Sequence, residues 1–180
     1  ISHLSNIQAK LGKYAINGNH DIPIEDFNEI IEKSGFINLN NTYELIYNSN
    51  NSIIISGINS NIQDTTDLTT KTKEFNEYIS SVNEENKPIY SILLIHEPDY
   101  IDNLDLSNYD LILAGHSHGG QVKLPLIGKI YNPPVAKKYY KEYYKVQNTD
   151  LYISNGIGTS GLKFRLFNRP SFNFFRITNK

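Results

Sequence analysis

The chain of 180 residues contains no cysteine and no methionine. Without cysteine the protein cannot form a disulfide or use a thiolate, so any bound metal must rest on nitrogen and oxygen donors. The sequence opens on Ile1 with no methionine before it. We interpret the sequence as part of a longer chain, with loss of an N-terminal methionine as the alternative.

A long apolar run and a large net charge are also missing. No apolar run approaches the ~18 residues that a membrane span needs, and no signal peptide is visible. The formal net charge of −2 at pH 7 gives no electrostatic footprint for nucleic acid or for an anionic membrane. Hydrophobic residues make up 39% and charged residues 20% of the chain, which is typical of a globular protein of one domain.

The hydrophobic pattern predicts an α/β fold. The apolar runs Ile89–Ile95 and Leu111–Ala114 are typical of strands that are covered on both faces. Helices are predicted from Pro23 to Gly35 and over residues 65–82, where apolar residues recur at helical spacing. Further strands are predicted at residues 13–16, 43–47, 53–56, 139–146, 151–154, 162–167 and 172–177, with a turn at 48–51.

Four of the five histidines lie in three short clusters, each of which follows an apolar run. The clusters are Gly-Asn-His-Asp at 18–21, His-Glu-Pro-Asp at 96–99 and Gly-His-Ser-His-Gly-Gly at 115–120. Because ligands gather beyond strand ends in α/β sheets, we expect the clusters to meet at one edge. Imidazole nitrogens, completed by amide and carboxylate oxygens, can hold a divalent cation there. For any single cluster, a hydrogen-bonded loop histidine is the ordinary alternative.

Neighbouring residues within the clusters leave two further expectations. One residue separates His116 from His118, and on an extended loop the two rings would point the same way, each toward one of two adjacent metals. Glu97 and Asp99 would either support His96 through hydrogen bonds or be solvated loop acids.

The third cluster also fits G-x-S-x-G at residues 115–119, the nucleophile elbow of α/β-hydrolases. This alternative predicts a serine hydrolase that uses Ser117. That fold requires Ser, then Asp or Glu, then His in chain order, but no histidine follows His118. Ser117 would have no base, and His96 would stay unexplained, so we prefer the metal site.

Together the three clusters resemble the motifs of calcineurin-like metallophosphoesterases, in that family's order. Residues 18–21 are similar to the GNH(D/E) block, His96 to the single-histidine block after the next core strand, and residues 115–118 to the closing GHxH block. The resemblance covers nearly the whole chain. It implies an α/β fold of four layers, an α-β-β-α sandwich of two mixed sheets, of which residues 1–180 would be the C-terminal two-thirds of a single domain, truncated at the N-terminus.

Three other stretches are similar to a bacterial branch of membrane-associated or cell-wall phosphodiesterases. They are residues 91–99, 114–125 and 156–162. This likeness implies a membrane-associated or exported protein, with any signal ahead of Ile1.

The resemblance also implies the ligands of two divalent metal ions, with Mn, Fe or Zn expected. Asn19, His96 and His116 would bind one ion, and His118 would bind the other. A hydroxide bridging the two cations would hydrolyse phosphomonoesters or phosphodiesters, and the substrate would be a phosphorylated small molecule or lipid.

Two residues of the first cluster would be catalytic rather than metal-binding. By the resemblance, His20 would lie near the leaving-group oxygen as general acid or as a stabiliser of transition-state charge. Asp21 would orient His20 through its ring nitrogen.

The sequence departs from the family pattern at one point. The D-x-H and G-D-x-x-D blocks, which supply the remaining ligands and the bridging carboxylate, are not among the 180 residues, and His3 follows Ile1 and Ser2 rather than an aspartate. If these residues are all there is, we expect weak metal binding and little turnover. A noncatalytic or regulatory remnant of the same fold is then the alternative function.

Overall fold

The protein is described from a computed structural model, which covers residues 1–48, 51–60, 65–83, 89–130, 133–161 and 163–178. The helices are α1 (Ser2–Ser5), α2 (Phe27–Lys33) and α3 (Thr65–Asn83), with 3-10 turns at Pro98–Asn103 and His118–Gly120. The strands are β1 (Tyr14–Ala15), β2 (Ile37–Asn38), β3 (Thr42–Asn48), β4 (Asn51–Gly57), β5 (Ile89–Ile95), β6 (Leu111–Ala114), β7 (Lys123–Leu124), β8 (Gly128–Lys129), β9 (Tyr143–Val146) and β10 (Thr149–Ile153).

Six strands form one mixed sheet in the order β3-β4-β5-β6-β10-β9. The four inner strands run parallel, and the edge strands β3 and β9 are antiparallel to their neighbours. The carboxyl ends of the four parallel strands therefore lie along one edge of the sheet. The predicted α/β class is confirmed, with β1 and β2 as a second, two-stranded parallel sheet and β7 and β8 as a hairpin.

Helix α3 supplies one side of the hydrophobic core. Its buried residues Leu68, Phe75 and Ile79 lie seven and four positions apart, which places them on one face of a helix. They pack in a cluster with strand residues that include Ile54 and Leu93. Burial of this face against the sheet stabilises α3, whose other face carries charged and polar residues.

The two-stranded sheet approaches the large sheet at Gly57, the last residue of β4. A Cβ atom on Gly57 would meet the backbone oxygen of Leu39 and lie 2.6 Å from Cγ2 of Ile16. Only glycine leaves room for this approach. The contact brings the loop after β1 to the carboxyl edge of the large sheet.

Three of the predicted strands differ from the structure. The strand predicted over 139–146 forms only at Tyr143–Val146, because the Tyr139 N–H donates to Asp99 Oδ1 at 2.9 Å instead of to a strand. The strands predicted at 162–167 and 172–177 are wrong within the described residues: Leu166 makes one isolated bridge to Val122, and 172–177 form no strand. An alternating pattern makes a strand only where a neighbouring strand completes its hydrogen bonds.

Some predictions fall on other parts of the chain. Leu162 and residues 49–50 of the predicted turn lie outside the described residues. Among the helices that the described ranges contain, none has the length and hydrophobicity to cross a membrane.

Candidate metal centre

The predicted metal ligands lie in loops that follow three strands. His96 is the first residue after β5, and His116 is the second after β6. Because β5 and β6 are parallel with Ile95 opposite Ala114, the two loops start side by side, and the Gly115 N–H donates to the His96 carbonyl at 3.1 Å. Asn19 comes from the loop after β1, four residues beyond the strand.

Three side-chain atoms from these loops form a triangle, which we call the metal triangle: Asn19 Oδ1, His96 Nε2 and His116 Nδ1. His96 Nε2 lies 2.9 Å and His116 Nδ1 3.2 Å from Asn19 Oδ1, and the two nitrogens are 3.3 Å apart. Around a cation with bonds of about 2.0–2.2 Å, neighbouring ligands are roughly 2.8–3.6 Å apart. The metal triangle therefore has the dimensions of three ligand positions around one cation.

The tautomer of His116 is fixed by a hydrogen bond at Nε2, the ring nitrogen outside the metal triangle. Its Nε2 lies 2.7 Å from the carbonyl oxygen of Pro134, and since a carbonyl oxygen only accepts, Nε2 carries the hydrogen. In the neutral ring, Nδ1 then presents its lone pair to the metal triangle. This is the arrangement that a metal-binding histidine needs.

Both imidazoles of the metal triangle are neutral at pH 7. Burial lowers the pKa of His96 to about 3, with a further contribution from the charges of His116, His118 and His20. Burial also lowers the pKa of His116, against an opposing hydrogen bond to Pro134. The neutral imidazole is the form that binds a metal ion, so these residues fit the divalent cation that the sequence predicts.

Gly18 gives the His96 ring its place. A Cβ atom on Gly18 would lie 2.7 Å from His96 Cε1 and 2.9 Å from each ring nitrogen. A side chain at position 18 would therefore displace the ring. Position 18 in the first sequence cluster is therefore a glycine because the ring of His96, in the second cluster, occupies the space beside it.

His118 lies outside the metal triangle. Its Nδ1 is 3.3 Å from Nη2 of Arg165, and its pKa is lowered by burial first and then by the charge of Arg165. Sequence reasoning did not place Arg165 in the site. No local pattern shows that Arg165 contacts His118, which is 47 residues away in the chain.

The extended loop expected for His116 and His118 is wrong. Both residues have left-handed backbone conformations, with φ of +61° and +48°, and the Ser117 N–H donates to the Gly115 carbonyl at 2.6 Å. The loop folds back on itself, so the two rings reach different partners.

His20 and Asp21 have separate hydrogen-bond partners. The exposed His20 ring places Nε2 3.0 Å from Ser160 Oγ, whereas Asp21 Oδ2 accepts from the Gly18 N–H at 2.7 Å. In this structure the Asp21 carboxylate closes the turn that carries Asn19. The expected orientation of His20 by Asp21 and the catalytic roles of both residues stay predictions.

Ser117 does not have the setting of a nucleophile. Its side chain is 1% exposed, and its Oγ accepts from the Gly119 N–H at 3.1 Å. A nucleophile elbow presents an exposed oxygen to the substrate. The hydroxyl instead caps the short turn at His118–Gly120.

The two acids that follow His96 both have hydrogen-bond partners in the fold. Asp99 accepts hydrogen bonds from the backbone N–H groups of Lys137, Lys138 and Tyr139, so it anchors that loop. Glu97 is 1% exposed, and a carboxylate oxygen lies within 4.8 Å of the ligand nitrogens of His96 and His116. Burial raises the pKa of Glu97, and Ser60 Oγ donates to its Oε1.

Several curated proteins are similar to this chain over most of its length. The uncharacterized metallophosphoesterase YkuE of Bacillus subtilis is 30% identical over 179 residues, which are 97% of this chain and 59% of YkuE. The uncharacterized metallophosphoesterase YkoQ of the same organism is 29% identical over 98% of this chain and 64% of its own length. The phosphodiesterase YaeI of Escherichia coli is 33% identical over 76 residues, 42% of this chain and 27% of its own length.

The chain thus spans about three-fifths of the length of the first two of these relatives. No family model matches the chain, and no solved structure matches it.

Proposed function

Since the chain belongs to the calcineurin-like metallophosphoesterase family, we propose that it hydrolyses phosphomonoesters or phosphodiesters with divalent metal ions held by its own side chains. The observation that carries the proposal is the metal triangle, whose three atoms lie 2.9–3.3 Å apart. Those distances, the neutral imidazoles and the fixed tautomer of His116 all suit a divalent cation. The names of the relatives support phosphoester hydrolysis, and that of YaeI supports a diester among the substrates.

Two ions, for which Mn, Fe and Zn are candidates, would be held by this chain. Asn19, His96 and His116 would hold one, and His118 would contribute to the second. Bound divalent cations would supply hydroxide near neutral pH by lowering the pKa of water toward about 7, and would offset the negative charge of the phosphoryl group.

The first cluster would complete the reaction. His20 lies on the exposed side of the site with its Nε2 free to exchange the Ser160 contact for a substrate oxygen, and it would donate the proton that the leaving group needs. Asp21 would act indirectly, because its hydrogen bond to Gly18 holds the turn from which Asn19 reaches the metal triangle.

The substrate class proposed is a phosphorylated small molecule or lipid, and a membrane-associated or exported location is part of the same proposal. Cell fractionation with an antibody against this chain would test the location. Recovery of the protein only in the soluble cytoplasmic fraction would contradict it.

Metal binding is the first test. We expect the chain, stripped with EDTA and dialysed, to bind Mn²⁺ or Zn²⁺ in a calorimetric titration. The variant His96→Ala should lose at least about tenfold in affinity, as typical of a lost contact at a metal site. The exposed His3 offers a matched control, and His3→Ala should bind as the parent chain does. Equal binding by His96→Ala and the parent chain would contradict the proposed site.

Hydrolysis is the second test, with bis-p-nitrophenyl phosphate and p-nitrophenyl phosphate as substrates. We expect slow turnover that EDTA abolishes and that His96→Ala lacks. Turnover should be slow because the D-x-H and G-D-x-x-D blocks are not among the 180 residues. Fast metal-dependent turnover would contradict that expectation. Intact metal binding with no turnover would favour the noncatalytic remnant over the enzyme.

A further inference from the structure

A hydrogen-bonded series of buried and half-buried polar residues lies next to the metal triangle, and the proposed reaction does not use it. Ser60 is its centre: its Oγ donates to Glu97 Oε1, and its N–H donates to Asn17 Oδ1 at 2.8 Å. The Asn17 N–H in turn donates to Asn40 Oδ1 at 2.9 Å. This polar series thus runs from the loop after β5, through the loops after β4 and β1, to the loop after β2.

The burial of two polar residues of this series, Glu97 and Ser60, needs a physical explanation. Glu97 is 1% and Ser60 2% exposed, and a carboxyl group held away from water destabilises a fold unless hydrogen bonds compensate. Neither residue adds apolar surface to the core. A carboxylate oxygen of Glu97 lies within 4.8 Å of the ligand nitrogens and Ser60 hydrogen-bonds to that carboxylate, which indicates that the two residues serve the site rather than the core.

Two residues of this polar series are close in sequence to the proposed ligands His96 and Asn19. Glu97 is the residue after His96, and Asn17 is two residues before Asn19. The distance between His96 Nε2 and Asn19 Oδ1, 2.9 Å, depends on how the loops after β5 and β1 sit relative to each other. Ser60 hydrogen-bonds to both loops.

We propose that Ser60 is a positioning residue, which joins Glu97 to Asn17 and thereby holds His96 and Asn19 at the separation that one cation requires. This inference rests on the proposed function in one respect, that His96 and Asn19 are metal ligands. A different role for Glu97, as a metal ligand itself, would use a lone pair of the carboxylate that Ser60 does not occupy.

The variant Ser60→Ala tests the proposal because it removes the hydroxyl and nothing else. We expect its Kd for Mn²⁺, measured by calorimetry on the full chain, to rise about tenfold. The absorption spectrum of the Co²⁺-loaded protein should also change, since it reports the geometry around the ion. A role in stability alone would not change that spectrum.

Ser91 offers a matched control. It is also 2% exposed and its hydroxyl is also hydrogen-bonded inside the fold, to the Asn108 carbonyl and to Asp110 Oδ2 at 3.1 Å, but it lies near the start of β5, away from the site. Ser91→Ala should lower the melting temperature about as much as Ser60→Ala and leave the Kd for Mn²⁺ unchanged. Equal losses of affinity in the two variants would overturn the proposal.

Two more variants separate the alternatives. Asn17→Ala breaks the same polar series at a more exposed residue and should raise the Kd as Ser60→Ala does, which keeps the test available if Ser60→Ala fails to fold. Glu97→Gln can still accept from Ser60 and should keep most of the affinity. A loss in Glu97→Gln as large as in His96→Ala would identify Glu97 as a ligand and overturn the positioning role.

The outcomes also distinguish this inference from the proposed function. If the parent chain binds no Mn²⁺, or if His96→Ala binds it equally well, the metal site itself fails. If His96→Ala loses affinity while Ser60→Ala and Asn17→Ala do not, only the positioning role fails.

Discussion

Gly18 shows, at the scale of single residues, how closely the loops of the metal triangle approach each other. The variant Gly18→Ala would put a methyl group 2.7 Å from His96 Cε1, and the ring must move to make room. We expect the Kd for Mn²⁺ to rise at least about tenfold, since displacing a ligand by a fraction of an ångström weakens a metal site. Calorimetric titration measures this change.

Gly158 is the control for that prediction. It has open space around its Cβ position, so Gly158→Ala should bind Mn²⁺ as the parent chain does. If Gly18→Ala keeps full affinity, the His96 ring does not depend on the space that Gly18 leaves.

The low pKa of His96 predicts that the stability of the fold depends on pH. Its pKa is about 3 in the folded protein, whereas an unfolded histidine titrates near about 6.5. Between these values the unfolded chain binds the extra proton, so the free energy of unfolding should rise with pH from about 3 to about 6.5. Its contribution is complete above about pH 6.5 and is lost as the pH falls toward 3.

Urea unfolding of the metal-free chain between pH 5 and 6.5, where most carboxylates are already ionised, measures the slope. His96→Gln should reduce this slope, because it removes one titrating ring. The slope should not vanish, since burial lowers the pKa values of His116 and His118 as well. An unchanged slope would mean that His96 is not a buried neutral ring.

At the scale of elements, α3 depends on its apolar face. Phe75 is 2% exposed and meets the Tyr43 ring edge-on at 5.6 Å, which joins α3 to β3. We expect Phe75→Ala to lower the free energy of unfolding by about 3–5 kcal/mol, as for other large-to-small changes in a core. Urea unfolding provides the measurement.

Glu77, on the exposed face of the same helix, is the control. It pairs with Lys73 at 4.0 Å with both side chains exposed, and such a pair contributes at most about 1 kcal/mol. Glu77→Ala should therefore change stability little. Similar losses in both variants would mean that α3 is not held by its apolar face.

The elements also show how far the hydrophobic pattern predicts structure. Strands β5 and β6 and helix α3 were predicted almost to the residue, because a buried strand and an amphipathic helix each leave a local pattern. Residues 172–177 carry a similar alternation of aromatic and polar residues but form no strand. Such a segment becomes a strand only if a neighbouring strand forms hydrogen bonds with it, and strand pairing cannot be read from a local pattern.

At the scale of the whole molecule, charge is divided unequally along the sequence. Residues 1–110 contain 6 basic and 17 acidic residues, whereas residues 111–180 contain 11 basic and 2 acidic residues. The small net charge of −2 therefore hides two parts of opposite sign. His116 and His118 belong to the basic part, and Arg165 of that part lies 3.3 Å from His118.

This division predicts that salt weakens the binding of phosphate. The Debye length shortens from about 30 Å at 0.01 M to about 8 Å at 0.15 M salt, which screens the attraction between the basic part and an anion. With Mn²⁺ present, we expect the Kd for inorganic phosphate to rise several-fold between 20 and 300 mM NaCl. Calorimetric titration at the two salt concentrations is the measurement, and a Kd that salt does not change would contradict the prediction.

The sequence by itself determined the class of fold and limited the chemistry that a metal site could use. The absence of cysteine restricted a metal to nitrogen and oxygen donors, and the resemblance of the three histidine clusters to a family's motifs predicted Asn19, His96 and His116 as ligands. Such predictions can be made from sequence because a motif and a hydrophobic period are read within a few neighbouring residues.

Only the tertiary structure decided how the predicted ligands meet and what holds them. Asn19 and His116 are 97 residues apart in the chain and 3.2 Å apart at their side-chain atoms. Pro134 fixes His116 through a backbone carbonyl, and Ser60 reaches Glu97 across 37 residues. Such contacts depend on the order and register of the strands, and these are set by the packing of the whole sheet rather than by any short stretch of sequence.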